Sequence, residues 1–422
     1  MNDTELLELT VESIAQGGDG VGRLDGMVVF ARGGLPGERV RLAISERRPS
    51  YARGTVVEIL EPSPDRVAPR LAAGAHAPWQ HVAYAAQLRF KETILREQLA
   101  KLAGITDAPL APIIPAPSAW GYRNSARLHV AGTSVGYHEA GSQVVVDLAQ
   151  DPMLLPALNE ALAGLRGFAS APPGLPLEGV TLRASAAYGY ALAALQPTPG
   201  ADGMELLLLA EAWRARVPTL AGVVVDRRGW RGAASGTATL HDELGGIGFA
   251  LGPESFFQVN AAQAERMIAL VVEALGPAPG VELLDLYSGV GTFALPLAAA
   301  GARVTAIEEH PAAVADGEQS AMLNGISRVR FVQAPVERAL PGLDGPFAGA
   351  VLDPPRRGCH PAVLEEVARL GIERVVYVSC HPGILGRDLG ALLQAGYRLE
   401  RLQPIDLFPQ TPHVETIVIL TR

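Results

Sequence analysis

Leu284-Asp285-Leu286-Tyr287-Ser288-Gly289-Val290-Gly291-Thr292-Phe293 decides the fold. An apolar strand runs into a glycine turn and a helix follows. Glycines at 289 and 291 let the backbone approach a ligand closely. About twenty residues on, Ala306-Ile307-Glu308 closes the next strand with an acid that can accept hydrogen bonds from ribose hydroxyls. Turn and acid together read as a nucleoside-cofactor site. A dinucleotide fingerprint would carry a third glycine at position 294, which is Ala294 here, a replacement that some dinucleotide sites tolerate.

Outward from this turn, the chain from residue 251 alternates strand and helix. Strands are predicted over 281–286, 302–307, 328–333, 349–352, 375–378, 398–406 and 414–420. Residues 407–413 are too few for a helical crossover, so the last two strands should pair antiparallel. Seven strands, six of them helix-linked and the last an antiparallel insertion, describe the class I methyltransferase variant of the doubly wound, Rossmann-like α/β sheet. Ligands of such sheets bind beyond the carboxyl ends of the strands.

Three further segments fall at that edge. Val375-Val376-Tyr377-Val378-Ser379-Cys380-His381-Pro382 is a buried strand that stops at a thiol. A thiol and a carboxylate near a cofactor loop can support covalent catalysis, although a buried structural cysteine is the common alternative. Val351-Leu352-Asp353-Pro354-Pro355-Arg356-Arg357-Gly358 puts an acid on a proline-stiffened ledge of the kind that receives a planar base, or makes an ordinary turn. Pro253-Glu254-Ser255-Phe256-Phe257-Gln258-Val259-Asn260 offers phenylalanines that can stack on a base, a carboxamide with donor and acceptor, and Asn260 as a helix cap.

Toward the N-terminus, residues 5–62 read as short strands separated by glycine clusters, an OB-like barrel of the type that often binds oligonucleotides. Arg32, Arg39, Arg41, Arg47, Arg48 and Arg53 lie on or between these strands, where solvated faces explain them as well as RNA does. Prolines 62, 64 and 69 mark a boundary. An amphipathic helix is expected over 84–104, with Leu88, Ile94, Leu95, Leu99 and Leu102 on its apolar face and Gly104 as its stop. Residues 105–250 mix strands and helices: Arg123-Asn124 open a strand, a hairpin turns at 139–142, and Pro172-Pro173 break the chain.

Composition narrows the function classes. With 422 residues, 48% of them hydrophobic, two or three domains are expected. No segment is long and apolar enough to predict a membrane span, and the acidic start MNDTELLELTVES is no signal peptide. Two cysteines, 359 and 380, supply no disulfide framework and fit a reducing cytoplasm. Net charge is −9, yet residues 1–130 carry 15 basic and 14 acidic side chains, so the acidity lies downstream.

PESFFQVN, LDLYSGVGTF, LDPPRRG, YVSCHP and LFPQTPHVETIVIL, in this order and spacing, resemble the S-adenosylmethionine-dependent RNA uracil C5-methyltransferases. QGGDGVGRLDGMVVFARGGLPGERV resembles the TRAM domain of that family, and the similarity runs from about residue 8 to the C-terminus. The resemblance implies a TRAM RNA-binding domain (1–62), a central RNA-binding domain (63–250) with the 84–104 helix on the catalytic part, and a methyltransferase domain (251–422). It implies Cys380 as the thiolate that adds to uracil C6, Glu415 as the base that removes the C5 proton, and Asp353 as the group that holds the uracil edge. Gln258, Tyr287, Gly289, Gly291, Glu308 and Asp353 fall on the family's cofactor contacts, and Phe256, Gln258 and Arg123 on its substrate contacts. The partner is RNA, 23S ribosomal RNA foremost and transfer RNA second, with no membrane and a monomeric, cytoplasmic enzyme expected. Many relatives hold a four-iron–four-sulfur cluster on a C-x5-C-x2-C segment and one later cysteine. Here those positions read Ala68, Gly74, Ala77 and Asp151. Clusters of this kind need thiolates, so none is expected. The segment 332–337 leaves the adenine contact unassigned, and Cys359 receives no role. Two other readings stay open: a methyltransferase acting on another nucleic-acid position, and a non-catalytic RNA-binding or assembly factor that keeps the cofactor turn.

Overall fold

Alternating apolar residues and glycine turns build three large sheets and one small hairpin, in a computed structural model that describes residues 5–71, 76–139, 141–170, 174–227 and 230–422. Gly74, Ala140, Pro172 and Pro173 lie outside the described residues. The chain divides into two compact units. The first joins Met1–Ala119 to Ser379–Gly390 and Leu402–Thr416; the second joins Trp120–Val378 to Ala391–Arg401 and Ile417–Arg422. The sequence limits at 62 and 250 are therefore not the lines along which the units divide.

In the first unit, six strands run in the order Leu6–Thr10, Arg39–Arg47, Tyr51–Glu61, Met27–Arg32, Gly20–Leu24, Ser13–Ile14. Leu9, Val29, Ala31, Val40, Leu42 and Ala52 alternate inward and make their core. Gly22 is needed where the strand Gly20–Leu24 meets the Thr10 carbonyl, since a Cβ there would collide with it. Five of the six arginines singled out above have carboxylate partners within this domain: Arg39, Arg41, Arg47, Arg48 and Arg53 pair with Glu5, Glu8, Glu46, Glu58 or Glu61.

The helix Tyr84–Ala103 ends at Gly104, whose φ of 67° makes the left-handed cap. Its buried face differs from the expected stripe. Leu102 is 48% exposed, whereas Gln87 and Lys91 are fully buried. The reason is polar partners: Lys91 Nζ donates to Asp406 (2.5 Å) and to the Phe408 carbonyl (3.0 Å). Burial pushes the Lys91 ammonium down and the Asp406 charge opposes that shift. Gln87 donates to the carbonyls of Trp79 and Val82 and exchanges hydrogen bonds with Gln410.

The second unit carries a seven-stranded sheet in the order Trp230–Gly236, Leu220–Arg227, Ala191–Pro197, Leu177–Ala184, Ser125–Ala131, Ser134–His138, Val145–Asp147. Helices Pro156–Ala169 and Gly203–Arg216 supply Leu158, Leu162, Leu165 and Trp213 to its core. The other seven-stranded sheet runs Val329–Gln333, Arg303–Glu308, Glu282–Leu286, Gly349–Leu352, Arg374–Ser379, Glu415–Thr421, Arg398–Ile405. Its first five strands pair in parallel, and the final strand of the chain lies between Arg374–Ser379 and Arg398–Ile405, the insertion expected from sequence.

Candidate active site

The glycine turn follows the strand Glu282–Leu286. Tyr287 has φ 65°, a left-handed conformation that costs a non-glycine residue energy and that functional turns often hold. Gly289 and Gly291 are also left-handed, at 55° and 83°. A Cβ on Gly291 would press on Phe331, but one on Gly289 would meet open space. Glu308 braces the turn: one carboxylate oxygen accepts from the Gly289 amide (2.9 Å) and the other from the His310 amide (2.8 Å). Beneath it, Asp285 is fully buried. One of its oxygens accepts from the Ala294 amide (2.8 Å), and the other has no hydrogen-bond partner. Burial, the charge of Asp353 and that of Glu308 hold the Asp285 carboxyl well above the usual carboxylate range. Burial likewise pushes Asp353 up to about 7.

This donor set fits a cationic nucleoside cofactor. Three carboxyls converge on a strained turn, one oxygen is buried and unmet, and the space at Gly289 is open. An ammonium or sulfonium would offset the repulsion that Asp353 and Glu308 exert on Asp285. S-adenosylmethionine carries both.

Tyr287 has a partner that sequence reading missed. Its hydroxyl is hydrogen-bonded to the Cys359 side chain and to the His360 backbone, and burial raises its pKa. Cys359 is 3% exposed. No local pattern links residues 287 and 359, so only the fold discloses the pair.

The PESFFQVN segment lies in the same unit. Phe257 is buried against Phe249, with ring centroids 5.2 Å apart, while Phe256 is 64% exposed. Gln258 is buried, and the Asn124 side chain donates to its carbonyl (2.9 Å). Asn260 caps the helix Ala261–Leu275 by accepting from the Gln263 amide. Arg123 is half-buried, its backbone tied to Met153 and Leu155, and its charge is felt by Tyr137.

The positions at which relatives carry cluster cysteines do not fit a cluster. Ala68 and Ala77 have no ligating side-chain atom, and Gly74 lies outside the described residues. Asp151 is fully buried; its carboxylate accepts from the Tyr137 hydroxyl (3.2 Å) and the Met153 amide (2.9 Å). In the first unit, Gln80 braces the 63–83 segment by accepting from the Leu71 amide (2.7 Å) and donating to its carbonyl (3.1 Å). Among the described residues no group of three or more His, Cys, Asp or Glu could hold a metal ion.

Cys380 and Glu415 both belong to the first unit. Cys380 directly follows the strand Arg374–Ser379 and is half-buried; Glu415 opens the strand Glu415–Thr421 and is buried. Neither cysteine is in a disulfide. The loop that leads to Glu415 is held from three sides. The Trp79 amide donates to the Gln410 carbonyl (2.9 Å), and Gln87 and Lys91 hold Gln410, Asp406 and Phe408 as described.

Comparison with known proteins agrees with this geometry. The tRNA (uracil-5-)-methyltransferase family model matches residues 247–422, and the TRAM domain model matches residues 4–57. An RNA methyltransferase of Thermosynechococcus vestitus is 37% identical over 98% of both chains. A 23S rRNA (uracil(1939)-C(5))-methyltransferase of Alkalilimnicola ehrlichii is 34% identical over 99% of this chain and 97% of its own. A crystal structure of Pyrococcus abyssi tRNA (uracil-54, C5)-methyltransferase in complex with S-adenosyl-L-homocysteine superposes with a TM-score of 0.78 at 24% identity, over 98% of this chain and 100% of that one.

Proposed function

We infer that this chain, which belongs to the RNA uracil C5-methyltransferase family, methylates C5 of a uridine in RNA with S-adenosylmethionine, and that its residues divide the work as follows. Tyr287, Gly289, Gly291, Glu308 and Gln258 hold the cofactor together with Asp353, and Asp285 faces its positive charge. Bound there, the cofactor supplies an electrophilic methyl group. Uracil C5 is a poor nucleophile until C6 is attacked. The Cys380 thiolate adds to C6 and leaves an enolate whose C5 takes up the methyl. Glu415 then removes the C5 proton, and elimination releases the thiolate and restores the ring.

Asp353 orients the base. A carboxyl held near neutrality at about 7 offers one donor and one acceptor, the complement of uracil O4 and N3–H. Its proton also lies where charge develops on O4. Phe256, exposed beside Gln258, stacks on a base turned out of the RNA, and Arg123 contacts the RNA. The enzyme is a monomer in the cytoplasm, and its substrate is 23S ribosomal RNA before transfer RNA.

The observation that carries this reading is the thiol at the carboxyl end of a strand in a sheet whose glycine turn is lined by three acids. Amino-group methylation needs no covalent nucleophile, and a binding module needs neither thiol nor base. The test uses RNA substituted with 5-fluorouridine, in which C5 has no proton to lose. A stable protein–RNA adduct that retains the transferred methyl should accumulate with the full-length protein and vanish in Cys380→Ala. An adduct that persists in Cys380→Ala would falsify the assignment.

A further inference from the structure

The residue after the nucleophile is held by the N-terminal β-domain. In the first unit the Gln16 carboxamide nitrogen lies 3.2 Å from Nδ1 and 3.3 Å from Nε2 of His381. Gln16 follows the strand Ser13–Ile14, 365 positions earlier in the chain. The Ile384 amide donates to the same Nδ1 (3.1 Å), so a neutral ring keeps its proton on Nε2 and donates it to the Gln16 carboxamide, whose oxygen accepts when the amide is turned toward the ring. The Ser379 hydroxyl accepts from the His381 amide (3.2 Å), which closes the turn around Cys380. His381 is thus fixed at its backbone by Ser379, at its ring by the first turn of the helix Pro382–Gln394, and at its ring again by Gln16.

Gly383 and Gly386 make room for this arrangement. A Cβ on Gly383 would sit 3.2 Å from the Gln16 carboxamide oxygen and 3.4 Å from that of Gln98. A Cβ on Gly386 would sit 3.1 Å from the Leu102 Cβ and 3.4 Å from the Gln98 carbonyl. The helix that begins beside Cys380 therefore rests on the helix Tyr84–Ala103 and on Gln16. The β-domain also reaches the other chemical loop, because the Trp79 indole donates to the Gly18 carbonyl (3.1 Å) while the Trp79 amide donates to Gln410.

We propose that the N-terminal β-domain is a positioning element for the nucleophile, and that Gln16, through His381, sets the direction in which Cys380 presents its thiol. The proposal rests on the reading of Cys380 as the nucleophile. It assigns the β-domain a part in the chemical step that RNA binding alone does not require. A nucleophile misplaced by a fraction of an ångström loses rate at saturating substrate while affinity stays. Gln16→Ala should therefore slow adduct formation on 5-fluorouridine RNA, measured in single turnover at saturating RNA and cofactor, by about tenfold or more. RNA affinity and its salt dependence should stay within about twofold, because Gln16 makes no phosphate contact in this scheme.

A double-mutant cycle separates positioning from loss of fold. Gln16→Ala and His381→Ala act through one contact, so the double variant should be no slower than the slower single one. Multiplying losses would overturn the proposal. So would a Gln16→Ala protein whose adduct rate at saturation is unchanged while its affinity and salt slope fall, for then the domain only holds RNA. Failure of the underlying reading looks different: the adduct would persist in Cys380→Ala whatever stands at position 16.

Discussion

The glycine turn at 287–291 and the loop at Cys380 are both strand-end turns of one sheet, yet they are built on opposite plans. The first is held almost wholly by its neighbours along the sheet. Glu308, at the tip of the adjacent strand, takes the Gly289 amide, and the Ser288 amide donates to the Ile307 carbonyl. The second adds to its local bonds from Ser379 and Ile384 a remote one, Gln16 on His381, and the loop before Glu415 is likewise held by the remote Trp79, Gln87 and Lys91. A cofactor cradle has to present fixed backbone groups, which local hydrogen bonds supply. With Cys380 and Glu415 in their proposed roles, a nucleophile and a base must be aimed at a polymer bound from outside, and the proposal above gives part of that task to the N-terminal β-domain.

Lys91→Ala attacks the remote plan most severely. It leaves Asp406 buried without its ammonium partner, and breaking such a pair typically costs about 3–5 kcal/mol. Urea unfolding should show a loss of that order, together with a fall in adduct formation. A loss below about 1 kcal/mol would mean that the pair is not what holds the Glu415 loop.

Asp353 tests the chemistry at the edge of the local plan. With its carboxyl raised to about 7, Asp353 is protonated below that pH and loses the proton as pH rises through it. Activity that depends on the protonated form is therefore present below 7 and falls above it. Asn keeps a donor and an acceptor but has no proton to lose. In Asp353→Asn the alkaline fall of the rate should disappear. An unchanged alkaline limb would show that another group titrates there.

Cys359→Ala should have the smallest effect. It removes one hydrogen bond from Tyr287, worth about 1 kcal/mol, or about a fivefold rise in the S-adenosylmethionine dissociation constant by calorimetry. Cys359→Ser should restore most of it. Equal affinities in all three proteins would make the glycine turn local in its entirety and so sharpen the contrast.

This contrast also decides what could be read from sequence. The strand–helix alternation, the glycine turn, Glu308 and the Asn260 cap follow from spacing within some twenty residues, where backbone geometry leaves few choices. The helix 84–104 was legible as a helix, but its buried side was not. Hydrophobic periodicity selects Leu102, which is 48% exposed, and passes over Gln87 and Lys91, which are buried because Gln410 and Asp406 satisfy them. Phe256 and Phe257 are chemically equal in sequence; packing against Phe249 retires one and leaves the other exposed. Gln16 and Cys359 have no signature, because a hydrogen bond between distant segments imposes no pattern on either.

The Gln16–His381 contact spans 365 positions, and that span orders events during synthesis. The strands between residues 6 and 61 can pair soon after they leave the ribosome, since their partners are near in sequence. The Cys380 loop emerges roughly 20–70 s later at ordinary elongation rates of about 5–20 residues per second. Until then the first unit lacks Ser379–Gly390 and Leu402–Thr416. A chain cut between residues 62 and 378 therefore carries the β-domain without the segments that complete its unit, and His381 meets Gln16 only after more than three hundred further residues have been made.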